Sequence, residues 1–212
     1  MKIKSYAVEF IGTFFLVFTV CVAAVFGTAG VMAPLAIGLV LGIMIYAGGH
    51  LSGGHFNPAV TLGVCLRGKC NLRDLPFYWL AQGLAAVVAV AAACALMPGS
   101  TVEMAKLDGK LVPVLIAEFT FTFALVWTVL NTATAKGTAG NSFYGLAIGG
   151  VVMVGAFSVG SISLGAFNPA VATGLVVIGK LPLAMLGAYV GIQLVAAVVA
   201  AVAFKWLAGE QD

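Results

Sequence analysis

The sequence predicts an all-α membrane protein with six membrane-spanning helices and two half-length helices, built as an inverted repeat. Three observations support this fold class: the composition, the lengths of the apolar runs, and a duplication of sequence segments. Of the 212 residues, 62% are hydrophobic and only 8% are charged, whereas a soluble domain carries about 25% charged residues. A chain with so few charges cannot cover a surface that faces water, so most of it must lie in lipid.

Six apolar runs are long enough to cross the hydrocarbon core of a bilayer, which is about 30 Å thick. They cover residues 6–27, 33–49, 77–97, 114–132, 141–159 and 183–207. Two shorter runs, 58–66 and 169–178, would each be about 15 Å long as helices. Neither short run crosses the core alone, but two of them placed end to end would.

The chain contains an internal duplication. "VEFIGTFFLVF" at 8–18 matches "AEFTFTFALVW" at 117–127, and "GHLSGGHFNPAV" at 49–60 matches "GSISLGAFNPAV" at 160–171. Each half holds three spans, and because three is odd, the second half must be inverted in the membrane. Inverted repeats build a pathway at their interface, where broken helices meet near the bilayer midplane. We expect one membrane domain over 1–212, with repeat 1 at about 1–105 and repeat 2 at about 110–212.

The repeated Asn-Pro-Ala has the chemistry of a helix start. Asn can cap backbone N–H groups, and Pro fits the first helical turn, where its missing N–H has no partner to lose. Lipid excludes exposed irregular backbone, so the approach to each short helix must be buried or line a water-filled cavity. Two inverted half-helices then point their positive ends at one central point. Such a site offers hydrogen bonds to water or a hydroxyl solute and repels cations. The residues are Asn57, Pro58 and Ala59, and Asn168, Pro169 and Ala170.

These motifs, with the "EF..TF" pattern that begins each half, resemble the aquaporins, or major intrinsic proteins, over essentially the whole chain. The resemblance implies six membrane helices, two re-entrant half-helices, a pore in every protomer and a homotetramer. It also implies that Glu9 and Glu118 are buried carboxylates that hold loop amides near the half-helices. His50 and His55 are expected to be buried polar residues that form hydrogen bonds within the first loop, because their spacing does not match the i, i+4 spacing of a helical metal site.

Four positions depart from the pattern of water-selective relatives. Most aquaporins have Arg after the second Asn-Pro-Ala, and this chain has Val171. Family spacing gives the other filter positions as Ile37, Ala156 and Gly165. None of these side chains can donate a hydrogen bond, and the family's bulky aromatic, imidazole and guanidinium groups are missing. Because pore selectivity depends on diameter, donors and electrostatic barriers, we expect a wide, apolar filter.

The expected function is passive passage of water and larger uncharged solutes, such as glycerol and other small polyols, urea, ammonia, hydrogen peroxide, and metalloid hydroxides with their methylated forms. One alternative is an ordinary water channel narrowed by Phe157 or Phe167. A less favoured alternative is an ion channel, for which only Glu9 and Glu118 are intramembrane candidates. An enzyme would need a nucleophile with its base, or a metal site, and the sequence predicts neither of these nor a cofactor.

The basic residues predict the orientation. Basic residues favour cytoplasmic loops, and seven of the ten Lys and Arg residues fall on one side if the N-terminus is cytoplasmic. The chain is therefore expected to be integral to a membrane, as in a bacterial inner membrane, with both termini cytoplasmic. Its partners are lipid, water and small neutral solutes. A net charge of +3 is too small and too scattered to predict nucleic-acid binding. No cation is expected near the filter to replace the missing Arg. The nearest candidate is Lys180, which follows the second short helix at the end far from Val171.

Overall fold

The computed structural model describes residues 2–107 and 109–208, and these residues form helices and turns without a strand. Eight α-helices follow one another along the chain: α1 Ile3–Thr19, α2 Ala33–Ser52, α3 Pro58–Leu66, α4 Leu75–Leu96, α5 Leu111–Val129, α6 Tyr144–Ser163, α7 Pro169–Val177 and α8 Leu183–Ala208. The six long helical segments are 20 to 26 residues in length and apolar enough to span a membrane. The predicted fold class is confirmed.

The two half-length helices, α3 and α7, begin where the sequence predicts. Pro58 and Pro169 occupy the first helical turn, and the residue before each is an extended Asn that caps the helix. Neither half-helix crosses the bundle, because each contains only nine residues and nine residues reach about 14 Å. Their capped N-terminal ends lie in the interior of the bundle.

Two of the long helices end in a π-helical segment, which the sequence does not predict. α1 continues as a π-helix over Val20–Val25, and α5 continues as one over Leu130–Thr134. The two segments occupy corresponding places in the two halves. π-helical turns are rare, but where they occur they are often at functional sites. Val20, the first residue of one segment, lines two of the cavities described below.

The two halves pack against each other through α2 and α6. A Cβ atom added at Gly149 of α6 would lie 2.2 Å from the carbonyl oxygen of Gly38, and one added at Gly38 would lie 2.6 Å from the carbonyl oxygen of Gly149. Small residues allow membrane helices to approach this closely. The two glycines correspond to each other in the repeat, so the crossing lies where the two halves are symmetrically related.

The second long helix, α2, ends three residues later than predicted. The apolar run predicts that α2 ends at residue 49, but the helix continues to Ser52 and is terminated by Gly53, which has a φ of 97°. Gly adopts this left-handed conformation without steric strain, which makes it a common helix terminator. The extra turn carries His50, so His50 lies in the helix and not in the loop predicted for it.

Candidate functional site: a channel between the two repeats

The two capping asparagines join the halves at the centre of the bundle. Asn57 Oδ1 accepts a hydrogen bond from Ala59 N at 2.8 Å, and Asn168 Oδ1 accepts one from Ala170 N at 2.8 Å. Each side-chain amide also donates across the interface: Asn57 Nδ2 donates to Phe167 O at 2.9 Å, and Asn168 Nδ2 donates to Phe56 O at 2.9 Å. An amide NH₂ group has two donor hydrogens, so each Asn has one more hydrogen to offer beyond this cross-bond.

The residues before the asparagines have an unusual backbone. Phe56 has a φ of 47° and Phe167 a φ of 49°, a left-handed conformation that is strained for a bulky residue. Each phenyl ring is fully buried. The Phe56 ring lies where a Cβ on Gly12 would clash with it, and the Phe167 ring packs against Phe121. The left-handed turn directs each carbonyl oxygen toward the Asn of the opposite half.

The buried carboxylates Glu9 and Glu118 hold the other side of these turns. Glu9 accepts hydrogen bonds from His55 N at 2.9 Å and from Phe56 N at 2.7 Å. Glu118 accepts the equivalent bonds from Ala166 N at 3.1 Å and from Phe167 N at 2.7 Å. Each carboxylate also accepts from one Ser and one Gln, namely Ser52 and Gln82, or Ser163 and Gln193. An intramembrane carboxylate needs such partners.

A central cavity of about 20 Å³, room for about one water molecule, lies around the two Asn caps. Its sixteen lining residues form eight pairs related by the repeat, at positions 16/125, 20/129, 37/148, 41/152, 54/165, 55/166, 57/168 and 60/171. The polar side chains among them belong to Asn57, Asn168 and His55, and the rest are aliphatic or Gly. The pair His55/Ala166 is the one pair that combines a polar side chain with an apolar one.

Two wider cavities continue the central cavity toward the two ends of the bundle. We name these ends inner and outer, after the predicted orientation. The outer vestibule has a volume of about 280 Å³ and the inner vestibule one of about 510 Å³. Val20, Ile37 and Gly165 line both the central cavity and the outer vestibule. Gly54, Val129 and Ile148 line both the central cavity and the inner vestibule.

The four predicted filter residues lie at three depths along this path. Ile37 and Gly165 lie at the junction of the central cavity and the outer vestibule. Val171 lies farther in and lines the central cavity, whereas Ala156 lies farther out and lines the outer vestibule. Sequence reasoning missed several lining residues on the long helices and their π-helical continuations, among them Val20, Val129 and Ile148. The repeat offered a signal for Ile148, because the residue that corresponds to Ile37 in the second half is Ile148.

The structure corrects the prediction for His50. The sequence predicts a buried residue in the first loop, but His50 is exposed on the last turn of α2 and lines the inner vestibule. His55 is buried as predicted and packs against Tyr78 with 5.1 Å between ring centroids. No described residue forms a hydrogen bond with its Nδ1 atom, so the bond expected within the loop is not formed by that nitrogen.

Lys180 is nearer to the pathway than the sequence suggests. It lines the outer vestibule together with Ile37, Ala156 and Gly165. Its Nζ atom donates a hydrogen bond to Glu103 O at 3.1 Å, and its own carbonyl oxygen accepts one from Ala105 N at 2.9 Å. The side chain and backbone of Lys180 therefore both bind the segment between the two repeats at the outer mouth. Val171 is still the residue beside the Asn caps.

The chain matches known proteins over most of its length. Residues 1–158 match the model of the major intrinsic protein family. Nodulin-26 of Glycine max is 31% identical over 97% of this chain and 76% of its own length. Aquaporin NIP1-3 of Oryza sativa subsp. japonica is 36% identical, over 93% of this chain and 70% of its own length. Aquaporin Z of Brucella melitensis is 32% identical over 98% of this chain and 99% of its own length.

The fold also matches a solved structure. The X-ray structure of the aquaglyceroporin from Plasmodium falciparum superposes with a TM-score of 0.75, covering 98% of this chain and 95% of that one at 24% identity. This similarity supports the fold, and the family match supports the class of protein. The chain belongs to the major intrinsic protein family, the aquaporins, and it is a passive membrane channel for water and small solutes and not an enzyme.

Proposed function

We propose that the channel passes uncharged solutes larger than water through a wide, apolar filter that has no arginine. The observation that carries the proposal is Val171, a buried aliphatic residue at the position after the second Asn-Pro-Ala, in the wall of the central cavity. Val171 offers neither the length nor the donors of a guanidinium. Between the two Asn caps and the outer vestibule, Ile37 and Gly165 add no donor either.

The cargo class follows from this lining. A solute that passes must lose part of its hydration, and the channel returns hydrogen bonds at the Asn caps and at His55. Small molecules with few hydroxyl or amine groups and no charge meet that condition. Glycerol, urea, ammonia, hydrogen peroxide, and metalloid hydroxides with their methylated forms belong to this class.

The water-selective alternative has less support. It requires Phe157 or Phe167 to narrow the path. Phe157 is 55% exposed on the outside of the helical bundle, and the Phe167 ring is fully buried against Phe121. Neither lines the central cavity or the outer vestibule. The ion-channel alternative is weaker still, because both intramembrane carboxylates are occupied by four hydrogen bonds each.

The proposed assembly is a homotetramer in a bacterial inner membrane, with both termini cytoplasmic. Lys2 lines a cavity together with Ala133 and Thr134, and Ala208 lines one together with the next two residues, Ala135 and Lys136, so the two ends of the described chain are on the same side of the bundle. Chemical crosslinking in native membranes measures the assembly. A protease-accessible tag at either terminus measures the orientation, and cleavage from outside intact cells would contradict it.

The filter is tested by Val171→Arg in purified protein reconstituted into vesicles. We expect glycerol and urea influx to fall by at least about tenfold while water flux falls less, because the guanidinium narrows the path and restores a charged donor. Stopped-flow light scattering measures both rates. Val171→Met is the matched control, since it adds length without a donor. If the wild-type channel passes water but neither glycerol nor urea, the proposal is wrong.

A further inference from the structure

We propose that Cys65 and Cys70 form a peroxide-reactive pair of thiols at the inner end of the channel. Cys70 is oxidised first, and Cys65 then closes a disulfide bond with it. The oxidant is a small neutral hydroperoxide such as hydrogen peroxide. Both residues are free cysteines in the structure, so the pair is described in its reduced state. This modification site does not depend on which solutes the channel admits.

The turn that ends the half-helix α3 brings the two cysteines together. Gly68 has a φ of 84°, and its amide donates a hydrogen bond to Cys65 O at 2.9 Å. The amide of Lys69 donates to Val64 O at 3.1 Å. This pair of hydrogen bonds around a left-handed Gly reverses the chain at a helix end. The chain therefore folds back over the last turn of α3 and places Cys70 beside Cys65.

The two thiols share one hydrogen-bond acceptor. Cys65 Sγ donates to Asn71 O at 3.8 Å, and Cys70 Sγ donates to the same oxygen at 3.7 Å. The two thiols also lie within hydrogen-bonding range of each other. A sulfenic acid condenses with a neighbouring thiol to form a disulfide, so oxidation of either sulfur places a reaction partner beside it.

The second half of the chain shows that the turn does not require cysteines. The turn after α7 has the same two backbone hydrogen bonds, from Gly179 N to Val176 O at 3.0 Å and from Lys180 N to Leu175 O at 2.8 Å. The residues that correspond to Cys65 and Cys70 in this turn are Val176 and Leu181. Aliphatic side chains are therefore sufficient for the packing, and the thiols of the first half add a chemistry that the fold does not need.

The two thiols differ in their access to solutes. Cys65 is buried, with 4% of its surface exposed, whereas Cys70 is partly exposed and lines a side cavity of about 290 Å³. The side cavity adjoins the inner vestibule, and Gly53, Lys69 and Val129 contribute to the walls of both. Redox-sensitive cysteines are accessible and often lie beside a second, resolving cysteine. Access therefore assigns Cys70 as the thiol that peroxide attacks and Cys65 as the resolving thiol.

The reaction consumes one molecule of hydrogen peroxide. The Cys70 sulfur attacks one peroxide oxygen, the O–O bond breaks, and the other oxygen leaves as water with the thiol proton. Cys70 is then a sulfenic acid. The Cys65 sulfur attacks the sulfur of Cys70, the S–O bond breaks, and the hydroxyl group leaves as water with the proton of Cys65. The pair loses two electrons and two protons, and a thiol reductant restores it by exchange.

Tryptic digestion can detect the bond because trypsin cleaves between the two cysteines. Cleavage after Arg67, Lys69 and Arg73 releases residues 70–73 as a separate peptide unless Cys70 is bridged. Reduced full-length protein in detergent is treated with hydrogen peroxide, alkylated, digested without reductant and analysed by mass spectrometry. We expect peptide 70–73 to be joined to the peptide that contains Cys65 in most chains, with the loss of two hydrogens, and to be released by reductant. Recovery of peptide 70–73 as an alkylated thiol, or joined to a second copy of itself, would overturn the proposal.

Serine variants separate the two steps while keeping a hydroxyl donor for Asn71 O. In Cys65→Ser, peptide 70–73 should be released, and Cys70 should carry a sulfenic acid that a cyclic 1,3-diketone traps. In Cys70→Ser, Cys65 should stay a free thiol because it is buried. Oxidation of Cys65 in Cys70→Ser as fast as that of Cys70 in Cys65→Ser would contradict the assigned roles.

The other two cysteines of the chain supply the matched control. Cys21 and Cys94 are replaced in the double variant Cys21→Ala/Cys94→Ala, which leaves Cys65 and Cys70 as the only thiols. We expect this variant to form the bridge to the same extent as the wild-type protein. Loss of the bridge in this variant, or a bridge to Cys70 that persists in Cys65→Ser, would show that Cys70 pairs with a different cysteine and would refute the proposal.

Discussion

Phe56 and Phe167 each have a strained backbone that is held on both sides. The amide of each residue donates to a buried carboxylate at 2.7 Å, and its carbonyl oxygen accepts from the Asn of the opposite half at 2.9 Å. A left-handed conformation of this kind persists where surrounding contacts determine it. These contacts therefore hold the turn, and the turn fixes the position of the Asn beside it.

The buried carboxylate that accepts from this turn should tolerate substitution poorly. In Glu118→Gln, an NH₂ group replaces one oxygen and must face a donor, since all four partners of Glu118 donate. A buried donor left without an acceptor costs about 1–3 kcal/mol. We expect a lower melting temperature in detergent, measured by tryptophan fluorescence during heating. Glu103→Gln is the control because Glu103 is exposed, and an equal loss of stability in both variants would contradict this account.

Sequence reasoning reached some of these residues and not others. Asn-Pro is a strong local signal for a helix start, and its repetition was sufficient to identify Asn57 and Asn168. No residue preference predicts a left-handed Phe, and the cross-bonds between the halves join residues 110 or more positions apart. Contacts at such separations depend on the tertiary fold, which a local pattern does not contain.

At the scale of helices, the crossing of α2 and α6 determines how close the two halves come. The Ala side chain in Gly149→Ala would meet the backbone oxygen of Gly38, and backbone yields less readily than a side-chain end. Overpacking of this kind costs about 1–3 kcal/mol. We expect a lower yield of folded protein and a lower melting temperature, measured by size-exclusion chromatography and thermal unfolding in detergent.

Gly150 is the matched control for this crossing. It is the next residue of α6, and a Cβ atom there would have no neighbour within 4 Å. Gly150→Ala should therefore leave both yield and melting temperature unchanged. If the two variants behave alike, the close approach of α2 and α6 does not contribute to stability.

Hydropathy identified every long helix, and it was weakest at the ends. The last turn of α2 contains His50 and Ser52, whose polarity ended the apolar run while the backbone hydrogen bonds continued to Gly53. The exposed position of His50 was missed for that reason. The π-helical ends of α1 and α5 leave no mark in composition, because the same apolar residues suit either helix type.

At the scale of the whole molecule, the cationic residues that line the path lie in its two vestibules. Lys69 and Lys136 line the inner vestibule, and Lys180 lines the outer one. The central cavity contains no Lys, Arg, Asp or Glu among its lining residues. The order of the filter residues along this path could not be read from the sequence, since it depends on how α2, α6 and α7 are tilted against one another.

Lys180 should affect ions more than neutral solutes. In Lys180→Met, the outer vestibule loses its one cationic lining residue within the described chain. We expect a higher cation leak at low salt and a smaller change at high salt, because screening shortens the reach of a charge to about 10 Å at 0.1 M. Potassium and proton fluxes into dye-loaded vesicles measure this, while glycerol influx serves as the internal reference. A glycerol change larger than that of the cations would place Lys180 in the filter instead.

The contact between Gly38 and Gly149 has a consequence for the central cavity. Ile37 precedes the first glycine and Ile148 precedes the second. Each helix therefore carries an aliphatic lining residue of the central cavity directly beside this contact. A movement that separates α2 from α6 would displace Ile37 and Ile148 together. Any change in the spacing of α2 and α6 at this contact would therefore shift the wall of the central cavity in both halves of the molecule at once.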